Sequence, residues 1–185
     1  MKSKRLKSKA GFTVIELLVV IFVMGMLTGL VLVKYRGYGQ NVRFANATEN
    51  IILAIRQAQV YGVGVKGSAG CGVGTTFDCS YGVYFSPSVP GAITVFVDNN
   101  NNGTFDAGES IDTVLLDTPT TITSITCDGA ACPGNALNIT FRRPNPSATI
   151  HDSGAATYTT STVGVSNGTK SSVITVTKAG QISLQ

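Results

Sequence analysis

A loop rich in oxygen-bearing side chains is the sharpest chemical signal in the sequence. The stretch DNNNNGTFDAGE, at positions 98–109, fits the spacing D-x-[DN]-x-[DN]-G-x5-E throughout. Calcium prefers six to eight hard oxygen ligands, and side chains that alternate around a glycine turn can converge on one point. The sequence therefore predicts a calcium site with the ligands Asp98, Asn100, Asn102, Thr104, Asp106 and Glu109.

The flanks of this loop indicate β-strands, so we expect a calcium loop on a β-hairpin and not between two helices. With three carboxylates, the expected affinity is modest and suits the millimolar calcium found outside cells. The alternative is an Asn- and Gly-rich turn that holds no ion, because the same residue types satisfy turn geometry.

Four cysteines form a second candidate set. An even number on the oxidising side of a membrane predicts two disulfides, with three possible connectivities. We favour the local pairs Cys71–Cys79 and Cys127–Cys132, with crossed pairing left open. Zinc is not indicated, because neither pair has C-x-x-C spacing and the lone His151 lies far from both.

Catalysis finds no support in the sequence. His151 and Asp152 lack a separate nucleophile, and Ser153 is too close in sequence to meet them as a triad. The chain has no phosphate loop and no cofactor fingerprint. We therefore expect a protein that is not an enzyme, with His151 in a turn.

A long apolar segment at positions 12–33 is a candidate membrane anchor for the rest of the chain. It has 22 residues and one carboxylate, Glu16, near its start. About 20 apolar residues span a bilayer, whereas the apolar region of a signal peptide has only roughly 7–15 and is followed by a cleavage site. Five basic residues precede the segment, so the N-terminus is expected inside and the rest of the chain outside.

Glu16 needs an explanation, because a carboxylate in a membrane segment costs several kcal/mol and by default indicates a functional site with a partner. The alternative is a side chain close enough to the interface to reach water unpaired. The surrounding stretch KAGFTVIELLVV resembles the N-terminus of type IV pilins and pseudopilins. The resemblance implies that a prepilin peptidase cuts after Gly11, that Phe12 is N-methylated, and that Glu16 pairs with the amine of Phe12, its own or a neighbour's.

The same resemblance implies the partners and the location. The expected partners are other pilins in a helical filament, the prepilin peptidase and an inner-membrane assembly platform. The expected location is the inner membrane, crossed once, followed by a periplasmic or extracellular filament. Five of the 14 basic residues lie in the leader, which leaves 9 basic against 10 acidic residues in the mature chain. Net charge therefore does not indicate a nucleic-acid-binding domain.

Four segments are expected along the chain. They are a cleaved basic leader (1–11), a transmembrane and filament-core helix (12–33), an amphipathic continuation of that helix (34–61) and a β-rich head (62–185). In the continuation, Ala45, Ile52, Ile55 and Ala58, with Ile51 adjacent, recur near a period of 3.6 and predict one stripe that lies on a sheet.

Short β-branched or aromatic runs follow, bounded by Pro, Gly and Asn. A helix followed by strands predicts an α+β fold, in which the long N-terminal helix packs on an antiparallel β-sheet head. The predicted strands are 81–85, 92–97, 111–116, 121–127, 137–141, 163–165, 172–177 and 181–184.

Two stretches resemble GspH/FimT-type minor pilins: NIILAIRQAQVYGVGV at the end of the helix and SVITVTKAGQISLQ at the C-terminus. Some FimT-like pilins bind DNA through arginines in the last hairpin, where this chain has Gln181. The remaining candidates for phosphate contact are Arg142 and Arg143, in the expected loop before Pro144, together with Lys170 and Lys178. The alternative is a solvated loop, and nucleic acid binding is not favoured.

The sequence thus predicts a structural subunit, a minor pilin or pseudopilin of a type IV pilus or a type II secretion filament. Two alternatives stay open. One is a DNA-binding or adhesive minor pilin at the filament tip, and the other is a major pilin that forms the shaft.

Overall fold

A computed structural model describes residues 11–64, 66–68, 70–71, 78–154 and 156–185, with only the backbone of 33–37. Residues 1–10 of the expected leader lie outside this part. The chain forms two compact units, Met1–Gly39 and Gln40–Gln185. One α-helix is followed by eleven β-strands, which confirms the α+β prediction for the described residues.

The helix α1 spans Val14–Val63 and is 50 residues long. Thr13 caps its N-terminus, because the Thr13 hydroxyl accepts a hydrogen bond from the Glu16 backbone N–H at 3.3 Å. At the other end the Gly64 N–H donates to the Val60 carbonyl at 2.8 Å. The helix therefore runs two residues beyond its predicted end at Tyr61.

The first unit contains the apolar part of α1. The stretch Val14–Leu32 has 19 residues with a mean hydropathy of 2.6, and none of it is buried within the chain. By length and composition it can cross a bilayer.

In the second unit, α1 buries one face. Its buried residues are Phe44, Ala47, Thr48, Ile51, Ala54, Ile55 and Ala58. The predicted stripe is wrong at Ala45, which is exposed, whereas Ile52 is half-buried and packs against the core. Because alanine is only weakly hydrophobic, two helix faces that differ by one residue have almost the same hydrophobicity in the sequence. In the folded chain the face that includes the large Phe44 is the one that is buried.

The strands have the following bounds: β1 Ser80–Phe85, β2 Ala92–Asp98, β3 Ser110–Leu115, β4 Thr121–Cys127, β5 Ala130–Ala131, β6 Leu137–Arg142, β7 Asn145–His151, β8 Thr157–Tyr158, β9 Thr160–Ser166, β10 Ser171–Thr177 and β11 Ile182–Leu184. They form two sheets, a six-stranded one in the order β3-β2-β1-β6-β7-β8 and a five-stranded one in the order β11-β10-β9-β4-β5. All the strand pairs are antiparallel.

The sequence did not predict β5, β7 and β8. Two of them have only two residues, and β7 (NPSATIH) is polar and contains Pro146, which disfavours a strand on sequence grounds. His151, expected in a turn, is the last residue of β7 and is nearly buried. Pairing with β6 on one side and β8 on the other is what makes this polar segment a strand.

One apolar core joins the buried face of α1 to both sheets. Phe85, Ile139 and Phe141 of the six-stranded sheet and Val163 and Ile174 of the five-stranded sheet belong to the same buried cluster. Burying a side chain of this size stabilises by about 1.5–3 kcal/mol. The head therefore owes its fold to contacts between segments far apart in sequence.

The close approach of α1 to β6 requires a glycine at position 62. A Cβ on Gly62 would overlap the backbone carbonyl of Phe141, which cannot move without distorting the sheet. We expect Gly62→Ala to lower the free energy of unfolding by about 1–3 kcal/mol. Urea denaturation of the full chain in detergent measures this. Gly91→Ala is the control, because a Cβ at Gly91 meets nothing within 4 Å.

Asp128 ties the β4–β5 turn to β9. Its Oδ1 accepts hydrogen bonds from the Thr159 and Thr160 backbone N–H groups, at 3.0 and 2.7 Å, and from the hydroxyls of both residues. The Thr159 hydroxyl and the Thr160 N–H are the main causes that lower the pKa of Asp128 from 3.8 to about 2. The ionised carboxylate is thus favoured in the folded state.

This pKa gives a pH-dependent contribution to stability. Because the pKa falls on folding, the contribution is fully present above about pH 4 and is lost as the pH drops towards 2. We expect the Tm of the wild type to exceed that of Asp128→Asn at neutral pH, and the difference to shrink across that window. Thermal melts of both proteins measure it, and a difference that stays constant down to pH 2 would contradict the assignment.

Candidate functional site

The expected processing point lies in exposed, non-helical chain. Gly11 and Phe12 precede the Thr13 cap, and the Phe12 side chain is 83% exposed. The bond between Gly11 and Phe12 is therefore outside the hydrogen-bonded helix. A peptidase needs such an accessible backbone.

Glu16 sits in the first turn of α1, where the partial positive charge of the helix N-terminus favours a carboxylate. Its side chain is exposed and makes no ion pair with the described residues. The pattern Thr13-x-x-Glu16 is that of a capping box, a signal that sequence reasoning missed. The backbone N–H of Glu16 thus helps to cap the helix, independently of any role of its carboxylate in assembly.

The loop at 98–109 connects β2 to β3, so it lies on a β-hairpin as expected. Asp98 is buried, and its two carboxylate oxygens accept hydrogen bonds from the N–H groups of Asn102 at 3.1 Å and Gly103 at 2.8 Å. Burial raises the pKa of Asp98, partly offset by these backbone donors.

Glu109 closes the other end of the loop. It is buried, and its two carboxylate oxygens accept from the backbone N–H groups of Asn99 at 2.8 Å and Asp106 at 2.9 Å. The Glu109 carbonyl also accepts from the Val97 N–H at 2.9 Å. Both carboxylates therefore organise the backbone of the loop.

The exposed Asp106 binds the two side-chain amides. Its Oδ2 accepts from Nδ2 of Asn100 and from Nδ2 of Asn102, both at 2.9 Å. The Asn102 Oδ1 accepts from the Thr104 N–H at 2.8 Å and from the Thr104 hydroxyl at 2.9 Å. The six predicted ligands thus lie in one hydrogen-bonded loop.

The donor set fits calcium by chemistry, since it offers carboxylate, amide and hydroxyl oxygens. As placed, however, the amide nitrogens of Asn100 and Asn102 face Asp106, so both amides would have to rotate to ligate an ion. In the part of the chain that the structure describes, no group of three or more His, Cys, Asp or Glu side chains is positioned to hold a metal. Calcium binding stays a prediction.

Two residues of the six-stranded sheet support the loop from outside. Asn138 of β6 is buried, and its Oδ1 accepts from the Phe105 N–H at 3.0 Å. The ring of His151 packs against Gly103, whose φ of 82° and close contact leave no space for a Cβ. Sequence reasoning missed this support, because only the tertiary fold brings β6 and β7 beside the loop.

Two local disulfides are present, Cys71–Cys79 and Cys127–Cys132, with Cα atoms 5.5 and 5.0 Å apart. They are the local pairs that we favoured among the three possible connectivities. Cys127 and Cys132 belong to the main core, whereas Cys79 packs in a smaller cluster with Tyr81.

The basic candidates are not a free cationic patch. Arg142 is the last residue of β6, not a loop residue as expected, and its guanidinium pairs with Asp78 at 2.8 Å. This partner lowers the pKa of Asp78. Arg143 follows in the β6–β7 turn, and Lys178 follows β10.

The fold nevertheless brings the first residues of β7 close to the turn after β10. Gln59 of α1 donates to the carbonyls of Pro146 at 3.2 Å and Gly180 at 3.3 Å. The Lys178 carbonyl accepts from the Ala148 N–H at 2.9 Å. The turn that carries Lys178 thus lies beside the first residues of β7, which follow Arg143 in the chain, although sequence position gave no sign of this contact.

Comparison with known families gives a match at the N-terminus. Residues 6–32 match the family model described as the prokaryotic N-terminal methylation motif. No curated protein and no solved structure matches the chain.

This motif supports the type IV pilin superfamily and a pilin-like or pseudopilin subunit, and it generally implies assembly with other pilins and processing by a prepilin peptidase. It indicates a structural protein rather than an enzyme. Together with the apolar helix, it suits a protein anchored in the inner membrane before assembly.

The geometry of the loop gives a test for calcium. We expect isothermal calorimetry of the full chain to show uptake with a Kd of about 1 mM, and Glu109→Gln to abolish it, because a bidentate ligand is lost. Asp112→Asn on the exposed strand β3 is the matched control and should bind as the wild type does. If no heat is observed at millimolar Ca²⁺, the calcium prediction is wrong and the loop is a turn that holds no ion.

Proposed function

We propose that the chain is a minor pilin or pseudopilin of a type IV pilus or type II secretion filament. In this proposal a prepilin peptidase cuts it after Gly11, Phe12 is N-methylated, and α1 carries it into the filament. The observation that carries the proposal is the apolar stretch Val14–Leu32, which is wholly exposed and lies within the residues 6–32 that match the methylation motif.

Such a surface needs apolar surroundings on every side. In the membrane these are lipid tails, and in a filament they are the helices of neighbouring subunits. Because lipid is as apolar as Leu or Val, moving between the two costs little hydrophobic free energy, and packing together with polar contacts decides where the helix resides. This is the physical basis for extracting an anchored subunit into a fibre.

Glu16 would supply the polar contact. Cleavage after Gly11 creates a positive amine at Phe12, one helical turn before Glu16 in sequence. Within an apolar filament core, a carboxylate without a partner is costly, and an amine of a neighbouring subunit removes that cost. The pair would therefore favour subunits in register over subunits in lipid.

The orientation follows from charge and from redox chemistry. Five basic residues before the apolar segment favour an N-terminus in the cytoplasm. The disulfides of the head, Cys71–Cys79 and Cys127–Cys132, persist in an oxidising compartment. Both features support a head on the periplasmic or outer side.

A DNA-binding or adhesive role at the filament tip is the second candidate. It is supported by the contact between the first residues of β7, which follow Arg143 in the chain, and the β10–β11 turn, which carries Lys178. The ion pair of Arg142 with Asp78 argues against this role, because the negative charge of Asp78 offsets the attraction of the guanidinium for a phosphate. The filament subunit is therefore the function we favour, in the minor-pilin class of the GspH/FimT type.

Substitution of Glu16 tests the assembly mechanism. We expect Glu16→Leu to insert into the membrane and to lose incorporation into filaments almost completely, because the amine of Phe12 has no partner. Immunoblots of sheared filaments and of membranes give the two readouts. Mass spectrometry of the mature chain should show an N-terminus at Phe12 that is heavier by one methyl group.

Thr28→Ala is the matched control for this experiment. Thr28 lies in the same apolar segment, and its hydroxyl donates to the Met24 carbonyl of its own helix at 2.7 Å. This variant should assemble normally. Normal incorporation of Glu16→Leu would refute the role assigned to the carboxylate.

A further inference from the structure

The sequence contains two Asn–Gly pairs, Asn102–Gly103 and Asn167–Gly168. In such a pair the glycine backbone nitrogen can attack the side-chain amide carbon of the asparagine, because no Cβ obstructs the approach. A five-membered succinimide forms and ammonia leaves. The two pairs differ in the side chains that contact the reacting atoms and could catalyse this step.

At the first pair a carboxylate holds the attacking nitrogen. The Gly103 N–H donates to Oδ2 of Asp98 at 2.8 Å, and this contact is buried. An amide nitrogen is a poor nucleophile until its proton is removed, and a positioned carboxylate within hydrogen-bond distance can accept that proton. Asp98 therefore stands in the position of a general base.

Two donors face the oxygen on which negative charge would develop. The Asn102 Oδ1 accepts from the Thr104 N–H at 2.8 Å and from the Thr104 hydroxyl at 2.9 Å. Donors in this position stabilise the oxyanion of a tetrahedral intermediate. The departing nitrogen, Nδ2, contacts Oδ2 of Asp106 at 2.9 Å.

From this arrangement we propose that the loop deamidates itself at Asn102. The Gly103 nitrogen forms a bond to Cγ of Asn102 while its proton passes to Asp98. The Cγ–Nδ2 bond then breaks and ammonia leaves, taking up one proton by way of water, so that Asp98 is again ionised. Water next adds to either carbonyl of the succinimide and gives aspartate or isoaspartate, with no change of oxidation state.

The second pair is an internal reference. Oδ1 of Asn167 likewise accepts from the Thr169 N–H at 3.0 Å and from the Thr169 hydroxyl at 2.9 Å. The Gly168 N–H, however, donates to the Ser166 hydroxyl at 3.1 Å, and a hydroxyl is not a base at neutral pH. Asn167 is also buried, whereas Asn102 is exposed to the water that hydrolysis needs.

The modification changes the charge of the loop. An aspartate at position 102 adds a fourth carboxylate to Asp98, Asp106 and Glu109, and it still fits the spacing D-x-[DN]-x-[DN]-G. An isoaspartate instead lengthens the backbone by one carbon and shifts Thr104 away. The loop of an aged subunit would therefore differ from that of a new one, whether or not the chain enters a filament.

The test follows the full chain in detergent, in EDTA at neutral pH, folded and unfolded in urea. Peptide mass spectrometry over time gives the deamidated fraction at both sites. In the folded chain we expect Asn102 to react at least ~10-fold faster than Asn167. This factor is smaller than the rate enhancement of ~10²–10⁴ that a general base gives in an enzyme. In urea the two rates should converge. If Asn102 reacts no faster in the folded chain than in urea, the proposal is overturned.

Two sets of variants separate catalysis from mere exposure. Asp98→Asn should slow the reaction at Asn102 about tenfold. Because Asp98 also organises the loop, Thr104→Val gives an independent measurement: it removes one oxyanion donor at a half-exposed position, while Thr104→Ser keeps it. We expect Thr104→Val to react several-fold more slowly than Thr104→Ser. Equal rates in all three variants and the wild type would refute the mechanism.

Discussion

Packing of one face of α1 against both sheets is the interaction on which the head depends. Phe44, Ile51 and Ile55 join a single buried cluster with residues of each sheet, and Gly62 lets the helix end approach the backbone of Phe141. The helix face therefore shares one core with the apolar sides of both sheets. In the other unit the same helix has no such face, since Val14–Leu32 is exposed all round and depends on lipid or on other subunits.

The loop between β2 and β3 shows how buried carboxylates can organise a segment without regular structure. Asp98 and Glu109 are almost fully buried, and each accepts two backbone N–H groups. Burying a charge is costly unless it is hydrogen-bonded, so these bonds are what makes the arrangement stable. One of these bonds also places the Asp98 carboxylate beside the Gly103 N–H, the contact on which the proposed deamidation depends.

Much of the fold was predictable from local pattern, because β-branched runs between Gly, Pro and Asn mark strands and an uninterrupted apolar run marks a membrane helix. The strand at Thr121–Cys127 was predicted with its observed bounds. The strand Asn145–His151 was not, because it is polar and contains Pro146, and only its pairing partners make it a strand. The stripe of α1 was displaced by one residue at Ala45 for a related reason, since alanines barely distinguish one helix face from the next.

The sequence by itself determined the apolar segment, the methylation motif that includes Gly11 and Phe12, and the chemical composition of the loop. These are properties of neighbouring residues, and hydrophobicity, charge and spacing report them directly. Only the tertiary structure decided that two sheets share one core, that Arg142 pairs with Asp78, and that Asn138 and His151 support the loop. Each of these contacts joins residues far apart in the chain, and no local pattern encodes which distant partners the core will bring together.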